Sequence, residues 1–356
     1  MAQLLDQSKR GTGMANLTIR DIARLSGLSK STVSLVLNNS PKVDPKTRRR
    51  VLAVMREHNY VPSFAATALA RGNTGLIGMI VPGLTWRFMA NINYGVAKVV
   101  ENTKYEIVLF TSTNERDYGG AIDRVLSSGV CAGLIVVAHD QQVLDRLVDL
   151  HRGGLSTVLV DTLGAVSDLP AVGADNYTGG LLVGRHLLGL GHRRIASILG
   201  PTDHPYVQER RRGLRDALRE AGLDSDPGLE AETGFEEALI RSRTRELLQL
   251  PPDRRPTALF AYHDSAAFTV LDELAEAGVR VPEDVSVVGF NDIDAAAHVR
   301  PALTTVQQPF ADMGRRAADI LLTALDSTES DEISQRIVLP TKLIVRDSTG
   351  PAPADR

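Results

Sequence analysis

The chain has 356 residues, of which 43% are hydrophobic and 4% aromatic, with one cysteine and a formal net charge of -3. That length exceeds one typical domain and supports large cores, while the lone Cys131 excludes an intrachain disulfide or a Cys-based metal site and suits a reduced cytoplasm. The charge is unevenly placed: residues 1–62 hold 11 Lys and Arg against 4 Asp and Glu, and the rest hold 29 against 39. A basic head on an acidic body is the footprint of a nucleic-acid-binding module.

Residues 1–16 contain no apolar core of signal-peptide length, and no run in the chain approaches the roughly 18 apolar residues of a membrane span. They read as a disordered extension, with Met14 as a second candidate start, on a chain that is neither exported nor membrane-bound. From Leu17 to Asn39 the sequence LTIRDIARLSGLSKSTVSLVLNN predicts a helix-turn-helix. Ile19, Ile22 and Ala23 share one helical face, Gly27 takes the corner, and Leu28, Val33, Val36 and Leu37 resume the apolar stripe. Thr18 with Asp21 caps the first helix and Ser29 the second. Opposite the second stripe stand Ser31, Ser34, Leu35 and Asn38, with Lys30 leading, a polar and reachable face. Taken alone, such a stretch also suits a two-helix corner of a larger core. Asp44 and Pro45 open a third helix with Thr47, Val51, Met55 and His58 inward and Arg48, Arg49 and Arg50 toward solvent or phosphate. These helices define a DNA-binding domain over 17–62. Pro62 stops the third; residues 63–73 suit a two-turn helix too short to persist alone, hence either a linker or a hinge that folds on DNA.

Beyond residue 74, apolar runs alternate with amphipathic helices: LIGMIVP, a helix around Ala90 to Glu101, EIVLFTS, a helix from Tyr118 to Ser128, AGLIVVA and STVLVD. A second series comes after Asp175, with predicted helices at Thr178 to Leu190, Val207 to Ala221, Glu236 to Leu250 and Ser265 to Ala277. Its strands run from Ile195 to Leu199, Ala258 to Tyr262 and Val285 to Val288. The alternation predicts βαβ units in two Rossmann-like halves, with a ligand cleft between them at the strand carboxyl ends. Strand ends there present Trp86, Phe88, Asp161, Arg210, Phe235, His263 and Asn291, aromatic faces beside polar donors and acceptors that suit a sugar-like ligand. No G-x-G-x-x-G follows a strand, no nucleophile elbow occurs, and the histidines are not at metal-ligand spacing, so no cofactor, metal or catalytic set is expected.

The runs TIRDIARLSGLSKSTVSLVLN, YVPSFAATALARG, TGLIGMIVP, ERRRGLRDALREAGL, VRVPEDVSVVGFNDI and RPALTTVQQP resemble, in order and spacing, the LacI/GalR family of bacterial transcription repressors over about residues 17–348. The resemblance implies a small all-α helix-turn-helix head and an α/β body of the periplasmic-binding-protein type 1 kind. The body would span 74–348, its first half about 74–176 plus 307–326 and its second 177–306 plus 335–348, before a tail at 349–356. It further implies base reading by Lys30, Ser31 and Leu35, phosphate or flanking contacts from Thr18, Thr32, Ser34 and Asn38, and minor-groove insertion of Leu69. Leu35 stands where many members carry arginine, His263 where asparagine is common, and Asn291 where aspartate is common. The expected protein is a cytoplasmic homodimeric repressor of carbohydrate-related genes, binding double-stranded operator DNA under control of a small sugar-like effector. A solute-binding protein shares the body but lacks reason for the basic head, and an enzyme with a nucleotide cofactor lacks its fingerprint.

Overall fold

Capping and spacing in the sequence set the limits of the head's helices. In this computed structural model, which describes residues 17–38, 40–61, 75–81, 86–111, 118–129, 131–137, 141–161, 168–327 and 335–353, helix α1 (Ile19–Ser26) starts at a capping box. Thr18 Oγ1 accepts from Asp21 N–H, and the Asp21 carboxylate accepts from Thr18 N–H at 2.9 Å. It ends at Gly27, whose φ of 66° lies in the left-handed region that favours glycine. Helix α2 (Lys30–Leu37) is capped by Ser29, and α3 (Pro45–Glu57) by Asp44, which accepts from both Lys46 and Thr47 N–H at 2.9 Å. Ile22, Ala23, Val33, Val36 and Val51 form the buried cluster, with Leu28, Leu37, Val54, Met55 and Tyr60 packed around it.

Two expectations for this unit need correction. His58 is exposed, because α3 ends at Glu57 and the chain leaves the helical stripe; Val54 and Tyr60 take the place assigned to it. Arg48 is not a free cation like its exposed neighbours Arg49 and Arg50. Its guanidinium donates to Ser40 O at 2.6 Å and to Val36 O, tying down the turn between α2 and α3.

The chain divides into two compact units between residues 74 and 75. The second unit contains two sheets, each with helices on both faces. Elements of the first half are β1 (Leu76–Val81), α4 (Met89–Val100), β2 (Glu106–Thr111), α5 (Tyr118–Ser128), β3 (Cys131–Val136), α6 (Gln141–Arg152), β4 (Thr157–Val160) and β5 (Ala171–Ala174). The second half supplies α7 (Asn176–Gly189), β6 (Ile195–Leu199), α8 (Pro205–Glu220), β7 (Glu230–Glu232), α9 (Glu237–Leu248), β8 (Ala258–Ala261), α10 (Asp264–Glu276), β9 (Ser286–Asn291) and β10 (Thr304–Gln307). Then α11 (Phe310–Asp326) and β11 (Arg336–Leu339) return to the first half, and β12 (Lys342–Ile344) closes the second.

Strand order is β11-β5-β4-β3-β1-β2 in one sheet, all parallel, and β12-β10-β9-β8-β6-β7 in the other, parallel except for β12. Every residue of β1, LIGMIV, is buried, as expected of a central parallel strand covered on both faces. The expected segment 335–348 is therefore split: β11 pairs with β5 of the first half, whereas β12 pairs with β10 of the second. Helix α6 and strand β5 add to the elements expected from the sequence. Nor is the tail beyond residue 348 loose as far as Pro353. Thr349 meets His186, Gly350 O accepts from buried His192, and Ala352 N–H donates to Leu190 O, stitching it to the second half. No helix among the described residues is long and apolar enough to cross a membrane.

In each half, two helices on one face touch through paired glycines. A Cβ on Gly95 of α4 would lie 2.0 Å from Ala311 O of α11, and one on Gly314 would lie 2.2 Å from Ile92 O. The second half repeats the device: a Cβ on Gly180 of α7 would meet Arg210 O at 2.1 Å, and one on Gly213 of α8 would meet Tyr177 O at 2.1 Å. Backbone cannot yield as a side-chain tip does, so alanine here forces the helices apart. Gly180→Ala is expected to destabilise the body by about 2 kcal/mol or more, read as a fall in urea midpoint; an unchanged midpoint would show that the helices can separate freely.

Candidate functional site

The loops at the strand carboxyl ends converge on a cleft of about 740 Å³, counting its open mouth, within the range of small-molecule sites. Trp86, Phe88, Asp161, Arg210, Phe235, His263 and Asn291, all nominated from sequence, line it together. Arg87, Tyr206, Ser265, Ile293 and Gln308 complete the wall. Four of these were within reach of sequence reasoning. Arg87 lies between two nominated aromatics, Tyr206 one helical turn before Arg210, and Ser265 and Ile293 two residues after nominated strand-end positions. Gln308 carried no local signal, since only the return of the chain between the halves brings it here.

Aromatic rings from both halves meet at the cleft. Trp86 lies 5.5 Å from Phe88 and 6.1 Å from Phe235, ring centre to centre, and Phe88 stacks on Phe310 of α11 at 4.7 Å. Beneath them lies Arg210, buried on α8. Its Nε donates to Asn176 Oδ1 at 2.8 Å and its Nη1 to Tyr262 O, while Phe290 and Tyr206 flank the guanidinium at 3.7 and 4.9 Å. Burial lowers its pKa to about 10, opposed by the attraction of Asp161.

Asp161 follows β4 in a left-handed conformation, φ 63°, which aims its carboxyl into the cleft. The residue is 8% exposed and its Oδ1 has no hydrogen-bond partner among the described residues. Burial raises its pKa to about 6, against the lowering effect of Arg210. His263 caps α10: its Nδ1 accepts from Ala266 N–H at 2.9 Å, which leaves the proton on Nε2 as a donor. Burial takes its pKa down to about 4, so the ring is neutral at physiological pH. Asn291, at φ 117°, accepts on Oδ1 from Gln308 Nε2 at 2.7 Å. The following turn is braced by the Arg346–Asp292 ion pair at 2.7 Å. Gln308 Oε1 is a second buried acceptor without a partner among the described residues. The cleft thus offers aromatic faces, two idle acceptors and the donors of Arg210 and His263.

On the separate head, Lys30, Ser31 and Leu35 are exposed along α2, with Thr32, Ser34 and Asn38 half-buried beside them. Lys30 and Ser34, and Ser31 and Leu35, are i, i+4 neighbours on one face. Leu35 is a large apolar side chain left 39% exposed. Ser31 and Thr32 hydroxyls bond Ser29 Oγ at 2.8 Å, and Thr18 donates to Asp21 at 2.8 Å, so those groups serve the caps as well. Leu69 and the hinge at 63–73 lie outside the described residues.

The carboxyl of Asp161 has a stability consequence. Between pH 4 and 6 the unfolded chain has lost this proton while the folded chain retains it, so stability falls as pH rises through that window. Asp161→Asn should raise the stability of the ligand-free protein at pH 7 by on the order of 2 kcal/mol and flatten its pH dependence from 4 to 6. Urea unfolding across pH checks this; an unchanged slope would mean the carboxyl is solvated.

Residues 18–63 match the model of bacterial regulatory proteins of the lacI family, and 185–349 match that of a periplasmic binding protein-like domain. The chain is 30% identical over 339 residues to the HTH-type transcriptional regulator DegA of Bacillus subtilis (strain 168), covering 94% of this chain and 98% of that one. A transcriptional regulator CelR–cellobiose complex is 32% identical, with a TM-score of 0.68 over 93% of this chain and 99% of its own. The lac repressor dimer bound to operator and the anti-inducer ONPF is 26% identical, with a TM-score of 0.80 over 94% and 99%.

Proposed function

The chain belongs to the LacI family of DNA-binding transcriptional regulators with a ligand-binding body, and from that premise we propose that it is a homodimeric repressor of carbohydrate-related genes, released from or driven onto its operator by a sugar-like effector. One observation carries the effector reading. Seven residues nominated from scattered strand ends line one cleft, where two buried acceptors, Asp161 Oδ1 and Gln308 Oε1, lack partners. An unmade buried hydrogen bond costs about 1–3 kcal/mol; hydroxyls of a polyol are the donors that would complete both. The rings of Trp86, Phe88 and Phe235 suit the C–H faces of such a ligand. The cellobiose-bound relative is consistent with this choice.

In the DNA reading, Lys30, Ser31 and Leu35 meet base edges in the major groove, Thr18, Thr32, Ser34 and Asn38 hold phosphates or flank the face, and Leu69 wedges into the minor groove. Two heads on a two-fold axis recognise a near-palindrome. A ligand gripped by both halves favours one relative arrangement of them, and a coupling of about 1–3 kcal/mol to operator binding suffices for a switch. The relatives are transcriptional regulators rather than enzymes, and we assign no catalytic step.

Trp86 is the chain's only tryptophan, so intrinsic fluorescence reports the cleft directly. Titration with neutral and charged sugars is expected to change it, with a matching shift in affinity for a palindrome upstream of the protein's own gene. Failure to protect any palindrome there or near sugar-utilisation genes, with and without ligand, would sink the repressor reading. For the operator itself, Leu35→Arg should weaken the native site and gain guanine preference, worth about 1–3 kcal/mol at the base it meets. Binding-site selection with both proteins checks this; identical selected sites would remove Leu35 from the reading face.

A further inference from the structure

The charges around the cleft do not balance. Its lining includes two guanidiniums, Arg87 and Arg210, but one carboxylate among the described residues, Asp161. Arg210 is anchored through neutral acceptors, Asn176 Oδ1 and Tyr262 O, and flanked by rings; among the described residues no carboxylate pairs with it directly. Arg87 is exposed at the mouth and has no ion-pair partner among the described residues. Two other acids of the described residues lie close by and are committed elsewhere. Asp264, next to His263, accepts from Thr305 Oγ1 and from Ile293 N–H at 2.8 Å and does not line the cleft. Asp292, next to Asn291, is bound by Arg346 and Gln307. Asn291 is a neutral amide, and the Nδ1 hydrogen bond of His263 holds that ring as a neutral Nε2 donor.

A buried guanidinium with no counter-ion in contact is costly, and a ligand that supplies one recovers the lost interaction. At the same time, Asp161 Oδ1 and Gln308 Oε1 call for donors, which a bare inorganic anion lacks. The geometry points to an effector that is both polyhydroxylated and anionic, a sugar acid or sugar phosphate, whose charged group lies between Arg210 and Arg87 and whose hydroxyls donate to Asp161 and Gln308. This rests on the sugar reading of the cleft and narrows it to the charged members of that class. Asp161, its pKa raised by burial to about 6, is mostly ionised at neutral pH and faces the hydroxyls of such a ligand rather than its charged group.

The test is calorimetric titration of the full chain with D-glucose, D-galactose and D-mannose, each beside its uronate, aldonate and 6-phosphate. The best ligand is expected to be charged and to bind at least about tenfold more tightly than its neutral parent. That margin should narrow at high salt and in Arg87→Gln, and be largely kept in Arg87→Lys. The carboxylate and phosphate arms identify which anion the site takes. If a neutral sugar binds as well as its charged forms, the anion is wrong and the sugar reading stands. A margin unmoved by salt and by Arg87→Gln also overturns the proposal, and a panel in which no sugar binds removes both readings.

Discussion

A guanidinium held away from water, with neutral groups as its anchors, is the constraint around which the second half is arranged. Arg210 needs Asn176 from the start of α7, the Tyr262 carbonyl at the end of β8 and the Phe290 ring of β9, all at fixed positions. Those positions hold only if α7 and α8 approach to backbone contact, which Gly180 and Gly213 permit. The contact on Gly180 is the carbonyl of Arg210 itself, so the spacing of the helices and the placement of the cation are one fact. Sequence, helix packing and electrostatics meet in that residue.

Much of this was legible in the sequence because the signals were local. Caps at Thr18, Ser29 and Asp44 are properties of four-residue windows, and the alternation of apolar runs with amphipathic helices announces a parallel sheet. Strand-end logic then nominated seven cleft residues without knowledge of which strands are neighbours. What escaped depends on contacts distant in sequence. β5 is four residues of small and apolar character with no alternation, and it becomes a strand because β4 and β11 flank it. Gln308 enters the cleft only because the chain crosses between halves there. Arg48 looked like its two neighbours, and only the path of the turn at Ser40 separates it from them.

The head shows how many of the side chains proposed to read DNA also serve the local structure. Hydroxyls at Thr18, Ser31 and Thr32 already satisfy helix ends, so any role on DNA must be shared with capping. Leu35 is different, being apolar and exposed, with no hydroxyl to share with a helix cap. An apolar group on a polar face contributes discrimination through shape and methyl contact rather than through hydrogen bonds.

Three segments cross between the halves, and two of them are joined. Asp175 N–H donates to Leu339 O at 2.9 Å, and Thr341 Oγ1 donates to Asp175 O at 3.0 Å, linking the first crossing to the third. Within each half the glycine contacts lock helix against helix, so these cross-linked segments join two tightly packed bodies. Gln308 lies on the second crossing and lines the cleft, so any group bound there would touch the chain at the point where it passes from one half to the other.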